Sequence, residues 1–219
     1  MTTVVFGDNT GDDYSGTEET NLSENNPVTP QSGFEISKYG SGDWRHGLIR
    51  FTGMSALPPS ITVSAANIYA FIVNTSGTGY VVSGYRSLRN WVEAQATWLI
   101  YSTGNLYATA GGTGATDRSS TLSGTSGVIP DTFFVYATVL ADAAQLRTDV
   151  QNIASGTNPN YGWHLERTDA ANDAHYRDFH AHDTGGDGER PYMTVIYTAG
   201  GGGAASAKLL SAICNQAGF

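Results

Sequence analysis

The chain has 219 residues, of which 14% are charged, and its formal net charge is −9. A chain of this length can build a hydrophobic core without a metal or disulfides, and its one cysteine, Cys214, excludes an intrachain disulfide. Its 11 lysines and arginines form no basic run, which argues against nucleic acid as a partner, and no apolar stretch is long enough for membrane insertion.

Residues 1–33 read as an acidic, loop-rich N-terminal segment that packs on the main domain, with room for one short strand in residues 7–33. Residues 34–199 alternate apolar and polar side chains over short runs, which predicts strands. Their number and spacing are typical of an all-β, jelly-roll-like antiparallel β-sandwich. The main predicted strands are 34–39, 46–51, 61–73, 80–85, 133–138, 161–167, 176–182 and 191–198.

One short helix is predicted at residues 141–155, because Ala144, Val150 and Ile153 line one side and Gly156 is a good stop. Residues 200–219 read as a glycine linker and a flexible tail that is ordered only if it docks on a partner. The apolar residues that would dock are Leu209, Leu210, Ile213 and Phe219.

Several segments share an order with one known family. They are Arg45-His-Gly-Leu-Ile-Arg-Phe51, Trp91-Val-Glu-Ala-Gln-Ala-Thr-Trp98, Asn160-Tyr-Gly-Trp-His-Leu165 and Arg190-Pro-Tyr-Met-Thr-Val-Ile-Tyr197. In this order they resemble the DNRLRE family of β-sandwich domains, which is grouped with carbohydrate-binding modules. The resemblance spans about residues 35–198 and implies a binding or structural module. It transfers the fold better than a site, because ligand residues vary among such domains.

Aromatic side chains are the main candidates for ligand contact. An exposed platform for sugar rings would use Trp44, Tyr101, Tyr107 and Tyr39, although ordinary packing at the rim is the alternative. The residues expected in the structural core, where Glu93 would bond to nearby backbone or an indole N–H, are Trp91, Glu93, Trp98, Phe51 and Tyr192.

A metal site is a further hypothesis. His180 and His182 would share one strand face, and two such histidines can hold a transition metal given a third ligand. Asp183 and Asp187 lie in an acidic, glycine-rich turn whose oxygens suit a structural Ca²⁺. A solvated strand face and an ordinary Asp-Gly turn are the alternatives. No other cofactor is expected.

No catalytic motif stands out, since G-x-S-x-G and a phosphate-binding loop are both missing. We therefore expect no enzyme. The leading hypothesis is a homo-oligomeric structural protein of a bacteriophage virion, as a head-decoration or tail-surface component beside other virion proteins. The N terminus lacks a secretion signal, which fits release by lysis. The alternatives are an extracellular glycan-binding module or adhesin, and an accessory of a polysaccharide-degrading enzyme.

Overall fold

The computed structural model describes residues 1–7, 16–40, 42–168, 175–184, 186 and 188–200. These residues form thirteen strands and one α-helix, α1 (Ala144–Ala154). The strands are β1 (Thr2–Gly7), β2 (Thr17–Ser23), β3 (Phe34–Lys38), β4 (Trp44–Phe51), β5 (Ile61–Ser76), β6 (Val82–Ser87), β7 (Ile100–Ser102), β8 (Asn105–Leu106), β9 (Arg118–Thr125), β10 (Val135–Leu140), β11 (Trp163–Arg167), β12 (His175–Phe179) and β13 (Tyr192–Ala199).

Eleven strands form one curled antiparallel sheet in the order β1-β13-β5-β12-β3-β4-β11-β6-β9, with β10 paired to β5 and β2 paired to β4. Strands β7 and β8 make a separate two-stranded ribbon. The curled sheet encloses the main hydrophobic core, and the predicted all-β, sandwich-like fold is confirmed.

Strand β13 shows how the alternation of side chains sets the two faces of the sheet. Met193, Val195 and Tyr197 are buried in the main core, and the intervening residues are only half-buried. Tyr192 therefore lies on the outer face, where its ring stacks on Tyr69 with centroids 4.7 Å apart. The prediction that Tyr192 lies in the core is wrong, because along the strand it alternates with the buried residues and so points to the opposite face.

The N-terminal segment contributes more regular structure than its sequence predicts. Strand β1 pairs with β13 along six residues, and β2 pairs with β4 along seven. Strand β2 is almost fully buried although its sequence, Thr-Glu-Glu-Thr-Asn-Leu-Ser, is polar. Some of its polar groups find partners inside the fold, as when Thr20 Oγ1 donates to the Gln31 carbonyl at 2.9 Å. The one short strand allowed for in this segment is thus present, but an apolar pattern could not reveal that it is buried.

Strand β4 separates two cores. Ile49 and Phe51 face the main core, whereas Leu48 faces a second core with Leu22 and Trp91. Residues 88–117, hereafter the cover segment, lie over this second face and supply most of its apolar side chains. The residues between β6 and β9 thus form a folded cap on the sheet.

The predicted helix is present as α1, three residues shorter at its start. Leu146, Val150 and Ile153 are buried against the sheet, and Gly156 follows the helix with φ +74°. Among the described residues, no helix has the length and apolar character needed to cross a membrane. The predicted docking tail lies outside the described residues.

Candidate functional site

Three of the four aromatic candidates for a sugar platform are half-buried and lie beside cationic side chains. Lys38 Nζ lies 4.5 Å from the ring centroid of Trp44, and Arg45 Cζ lies 4.9 Å from that of Tyr39. Arg89 Cζ lies 5.3 Å from the ring centroid of Tyr101. One face of each ring is therefore already occupied by a cation.

Tyr107 is not part of an exposed platform, because it is only 9% exposed and packs in the second core. The cover segment turns inward here because the Asp117 carboxylate accepts hydrogen bonds from the backbone N–H groups of Ala108 and Thr109, each at 3.0 Å. Burial acts to raise the pKa of Asp117, but these two N–H groups and the Arg89 guanidinium together lower it.

The tryptophan motif lies where the cover segment meets the sheet. Trp91 is fully buried, and its Nε1 donates to the Tyr161 carbonyl at 2.8 Å. Trp98 is half-buried, with its ring centroid 4.9 Å from that of His46. Glu93 Oε1 accepts a hydrogen bond from the Glu19 backbone N–H at 3.0 Å, which ties the cover segment to β2.

An acidic pocket of about 310 Å³ opens beside Glu93, lined by Glu19, Glu93, Asp183 and the turn at residues 30–33. Glu19 Oε1 accepts hydrogen bonds from the His182 backbone N–H at 2.6 Å and from its Nδ1 at 2.7 Å. Glu19 Oε2 is buried and has no hydrogen-bond partner among the described residues. Burial raises the pKa of Glu93.

The predicted metal residues are not brought together. Strand β12 ends at Phe179, so His180 and His182 do not share a strand face. His180 Nδ1 lies 3.1 Å from Glu189 Oε2, while His182 points to Glu19. Asp183 lies at the acidic pocket, and Asp187 is outside the described residues.

Glu19, Glu93 and His182 do form a cluster with metal-ligand atoms within 4.8 Å of one another. The hydrogen bond to Glu19 raises the pKa of His182 to about 9. His182 is therefore a cation at neutral pH and forms an ion pair with Glu19. Because only the neutral imidazole ligates a metal, this cluster is not a metal site at neutral pH. Sequence reasoning missed this cluster because Glu19 lies in a strand that looked like a loop.

A second cluster joins His46 of β4 to His164 and Glu166 of β11, again with ligand atoms within 4.8 Å. Both histidines are buried, and Glu166 is half-buried. The three lie on the face of the sheet that the cover segment encloses. Only the pairing of β4 with β11 brings them together, so no local sequence signal marks them.

An exposed apolar surface lies in the connection between β9 and β10, hereafter the 127–134 loop. Val128 is 70% exposed, Phe133 50% and Phe134 71%. Phe134 has φ +56°, the only non-glycine residue with a positive φ among the described residues. Sequence reasoning placed Phe133 at the start of a strand, but β10 begins two residues later, which leaves both rings outside the sheet.

No protein-family model matches the chain, and no curated protein matches it either. The resemblance to DNRLRE domains therefore stays a prediction.

The described residues thus offer two surface features with different chemistry. The acidic pocket presents carboxylate oxygens, which accept hydrogen bonds from hydroxyl or amide groups and attract cations. The 127–134 loop presents two aromatic rings, which bind by burying apolar surface.

Proposed function

We propose that this protein is a non-catalytic adhesion protein that associates with further copies of itself through the 127–134 loop. The observation that supports the proposal is the pair of exposed phenylalanines, Phe133 and Phe134. Exposed adjacent aromatic rings are a common feature of protein contact sites.

The backbone of the loop supports this reading. A positive φ at a non-glycine residue costs about 1–2 kcal/mol, and Phe134 has φ +56° while its ring is mostly in solvent. Strain of this kind is typical of functional positions. A contact that buries both rings would compensate for the strain.

The loop is also held in one conformation by its neighbours. The backbone N–H of Phe134 donates to the Ile72 carbonyl at 2.8 Å, and that of Ile129 donates to the Tyr80 carbonyl at 2.9 Å. Arg177 Nε donates to the Pro130 carbonyl at 2.9 Å. A rigid loop loses little conformational entropy on binding, which favours its use as a contact.

A contact between identical copies is the simplest use of this surface. In a two-fold dimer the same surface lies on both sides of the interface, and a loop placed at the two-fold axis brings its rings against those of the second copy. The net charge of −9 makes copies repel one another, and an apolar contact overcomes this repulsion at short range.

Sedimentation velocity over a range of concentrations tests this contact. The wild-type chain is expected to form dimers or larger species, and the double variant Phe133→Ser, Phe134→Ser is expected to stay monomeric. Leu106→Ser is the matched control, because Leu106 is 69% exposed in a different part of the surface. A monomeric wild type, or a double variant that associates equally well, would contradict the proposal.

The setting that we propose is the surface of a bacteriophage particle, as a head-decoration or tail-surface component. Repeated copies on such a particle need the kind of self-contact described above. An antibody against the purified protein should label intact particles from lysates of the source culture. Labelling confined to cell-wall polysaccharide would contradict this setting and favour the second candidate.

The second candidate function is glycan binding at the acidic pocket. It is favoured by Glu19 Oε2, a buried acceptor without a partner among the described residues, in a pocket large enough for one sugar ring. A glycan array tests it with wild type, Glu93→Gln and Asp183→Asn, beside Trp44→Ala as a variant away from the pocket. Binding lost only in the two pocket variants would support this function, and no binding by wild type would remove it.

A further inference from the structure

The cover segment encloses two histidines that have no role in either proposed function. His46 and His164 are 6% and 2% exposed, and their ring centroids lie 4.9 Å apart at an interplanar angle of 66°. Glu166, on the same strand as His164, places its Oε2 3.7 Å from His164 Nε2. Polar groups buried this deeply normally have hydrogen-bond partners.

One ring nitrogen in this group lacks such a partner. His164 Nε2 is buried and makes no hydrogen bond to any described residue, because 3.7 Å exceeds hydrogen-bond distance. The hydroxyl of Tyr107 is a second buried atom without a partner among the described residues. Both rings adjoin Gly112, where an added Cβ would lie 3.2 Å from Tyr107 Cε1 and 3.4 Å from His164 Nδ1.

His46 is oriented as metal-ligating histidines are. Its Nδ1 lies 3.0 Å from the Gly111 carbonyl oxygen, which can only accept a hydrogen bond. Nδ1 therefore carries the proton, and the lone pair is on Nε2. A backbone carbonyl that fixes the tautomer in this way is the usual outer partner of a metal-bound histidine.

We propose that His46, His164 and Glu166 form a binding site for a divalent transition metal, with Zn²⁺ as the best match. Two imidazole nitrogens and one carboxylate oxygen suit Zn²⁺ and not Ca²⁺, which prefers oxygen ligands throughout. Burial lowers the pKa of His46 to about 4 and lowers that of His164 as well.

The remaining contacts leave one carboxylate oxygen for the ion. Arg118 donates to Glu166 Oε1 at 3.0 Å and lies 3.6 Å from the ring centroid of Tyr85, so its position is fixed. Glu166 Oε2 is then the atom that faces the histidines. Ligand atoms around a tetrahedral Zn²⁺ lie roughly 3.3 Å apart, given bonds of about 2.0–2.1 Å. The three ligand atoms lie within 4.8 Å of one another, and His164 Nε2 lies 3.7 Å from Glu166 Oε2, so the atoms must move closer together to reach this spacing.

The metal would join β4 to β11 beneath the cover segment. The carbonyl that orients His46 belongs to Gly111 of the cover segment, and the ligands come from β4 and β11. The site thus lies where the cover segment meets the strands beneath it, and the hydrogen bond between His46 and Gly111 links the two.

The test uses the full chain with Cys214→Ser, which removes the one thiol that could bind Zn²⁺ elsewhere. Protein stripped with a chelator and dialysed is titrated with Zn²⁺ in a calorimeter and with Co²⁺ in an absorbance cell. The variants are His164→Gln and Glu166→Gln, and the control is His182→Gln, which removes the histidine of the other cluster. Circular dichroism checks that each variant folds.

We expect one equivalent of Zn²⁺ per chain, a Co²⁺ absorption band typical of four-coordinate nitrogen and oxygen ligation with a water molecule as the fourth ligand, and a rise in melting temperature on adding Zn²⁺. Affinity should fall at least tenfold in His164→Gln and Glu166→Gln and stay unchanged in His182→Gln. If His164→Gln fails to fold, the Zn²⁺ affinity of Glu166→Gln alone tests the proposal. No binding by wild type, or binding lost only in His182→Gln, would overturn the proposal.

Discussion

Glu19 and His182 lie 163 residues apart in the sequence, and one carboxylate oxygen of Glu19 accepts hydrogen bonds from both the backbone and the ring of His182. Glu93 Oε1 lies 3.5 Å from the same His182 ring nitrogen, and it also accepts from the Glu19 backbone. These three residues connect β2, the cover segment and the connection between β12 and β13.

The first prediction concerns the pH dependence of this connection. The pKa of His182 in the folded chain is about 9, above the ordinary value of 6.5. A raised pKa means that the stabilisation is complete below pH 6.5 and is lost as the pH rises through 9. His182→Gln should therefore be less stable than wild type at pH 6, and the difference should shrink by pH 10. Urea unfolding at both pH values measures this, and a constant difference would refute it.

The second prediction compares two glycines with similar backbones. Gly162 has φ +70° and Gly156 has φ +74°, so alanine is strained at both, by about 1–2 kcal/mol. A Cβ at Gly156 would meet nothing within 4 Å, whereas one at Gly162 would overlap the Ile49 carbonyl oxygen. Gly162→Ala should therefore destabilise the chain by at least about 2 kcal/mol more than Gly156→Ala. Equal melting temperatures would contradict the described packing.

The third prediction concerns strain at Phe134. Glycine accepts φ +56° without a steric cost, so Phe134→Gly should leave stability unchanged or raise it by up to about 1 kcal/mol. Phe134→Val should lower it, because a β-branched residue tolerates this conformation least. Thermal unfolding of both variants, at a concentration where the chain is monomeric, checks the order. The reverse order would show that the backbone is not strained.

The fourth prediction links the buried Arg177 to the 127–134 loop. Its guanidinium donates to the carbonyls of Pro130, Ser76 and Thr78, and its side chain is fully buried. Arg177→Lys keeps the charge but loses most of these bonds, and we expect a destabilisation of about 3 kcal/mol. Self-association should weaken as well. Arg147→Lys, at a half-exposed ion pair with Asp142, is the control that should change little.

The sequence predicted those parts of the fold that rest on local patterns. The alternation in β13, the apolar side of α1 at Val150 and Ile153 and the stop at Gly156 are such patterns, and the structure contains them, although Ala144, also predicted on that side, is exposed. The burial of strand β2 escaped prediction because its side chains are polar, and Glu19 finds its partner far away in the chain.

The candidate sites were harder to predict for the same reason. Tyr107 looked like an exposed loop residue, but the carboxylate of Asp117 turns its segment inward. His46 and His164 lie together only because β4 pairs with β11, and the spacing of residues in the sequence does not predict that pairing. His180 and His182, whose spacing did look like a site, lie beyond the end of β12.

Disulfide trapping tests most directly whether copies of this chain contact one another through the 127–134 loop. Phe133→Cys is introduced into the Cys214→Ser chain and oxidised at low protein concentration, beside Leu106→Cys as the control. A covalent dimer is expected from Phe133→Cys well before any from Leu106→Cys, because a two-fold contact with the 127–134 loop at its axis brings the two copies of position 133 together. Equal rates of dimer formation, or a dimer from Leu106→Cys alone, would contradict it.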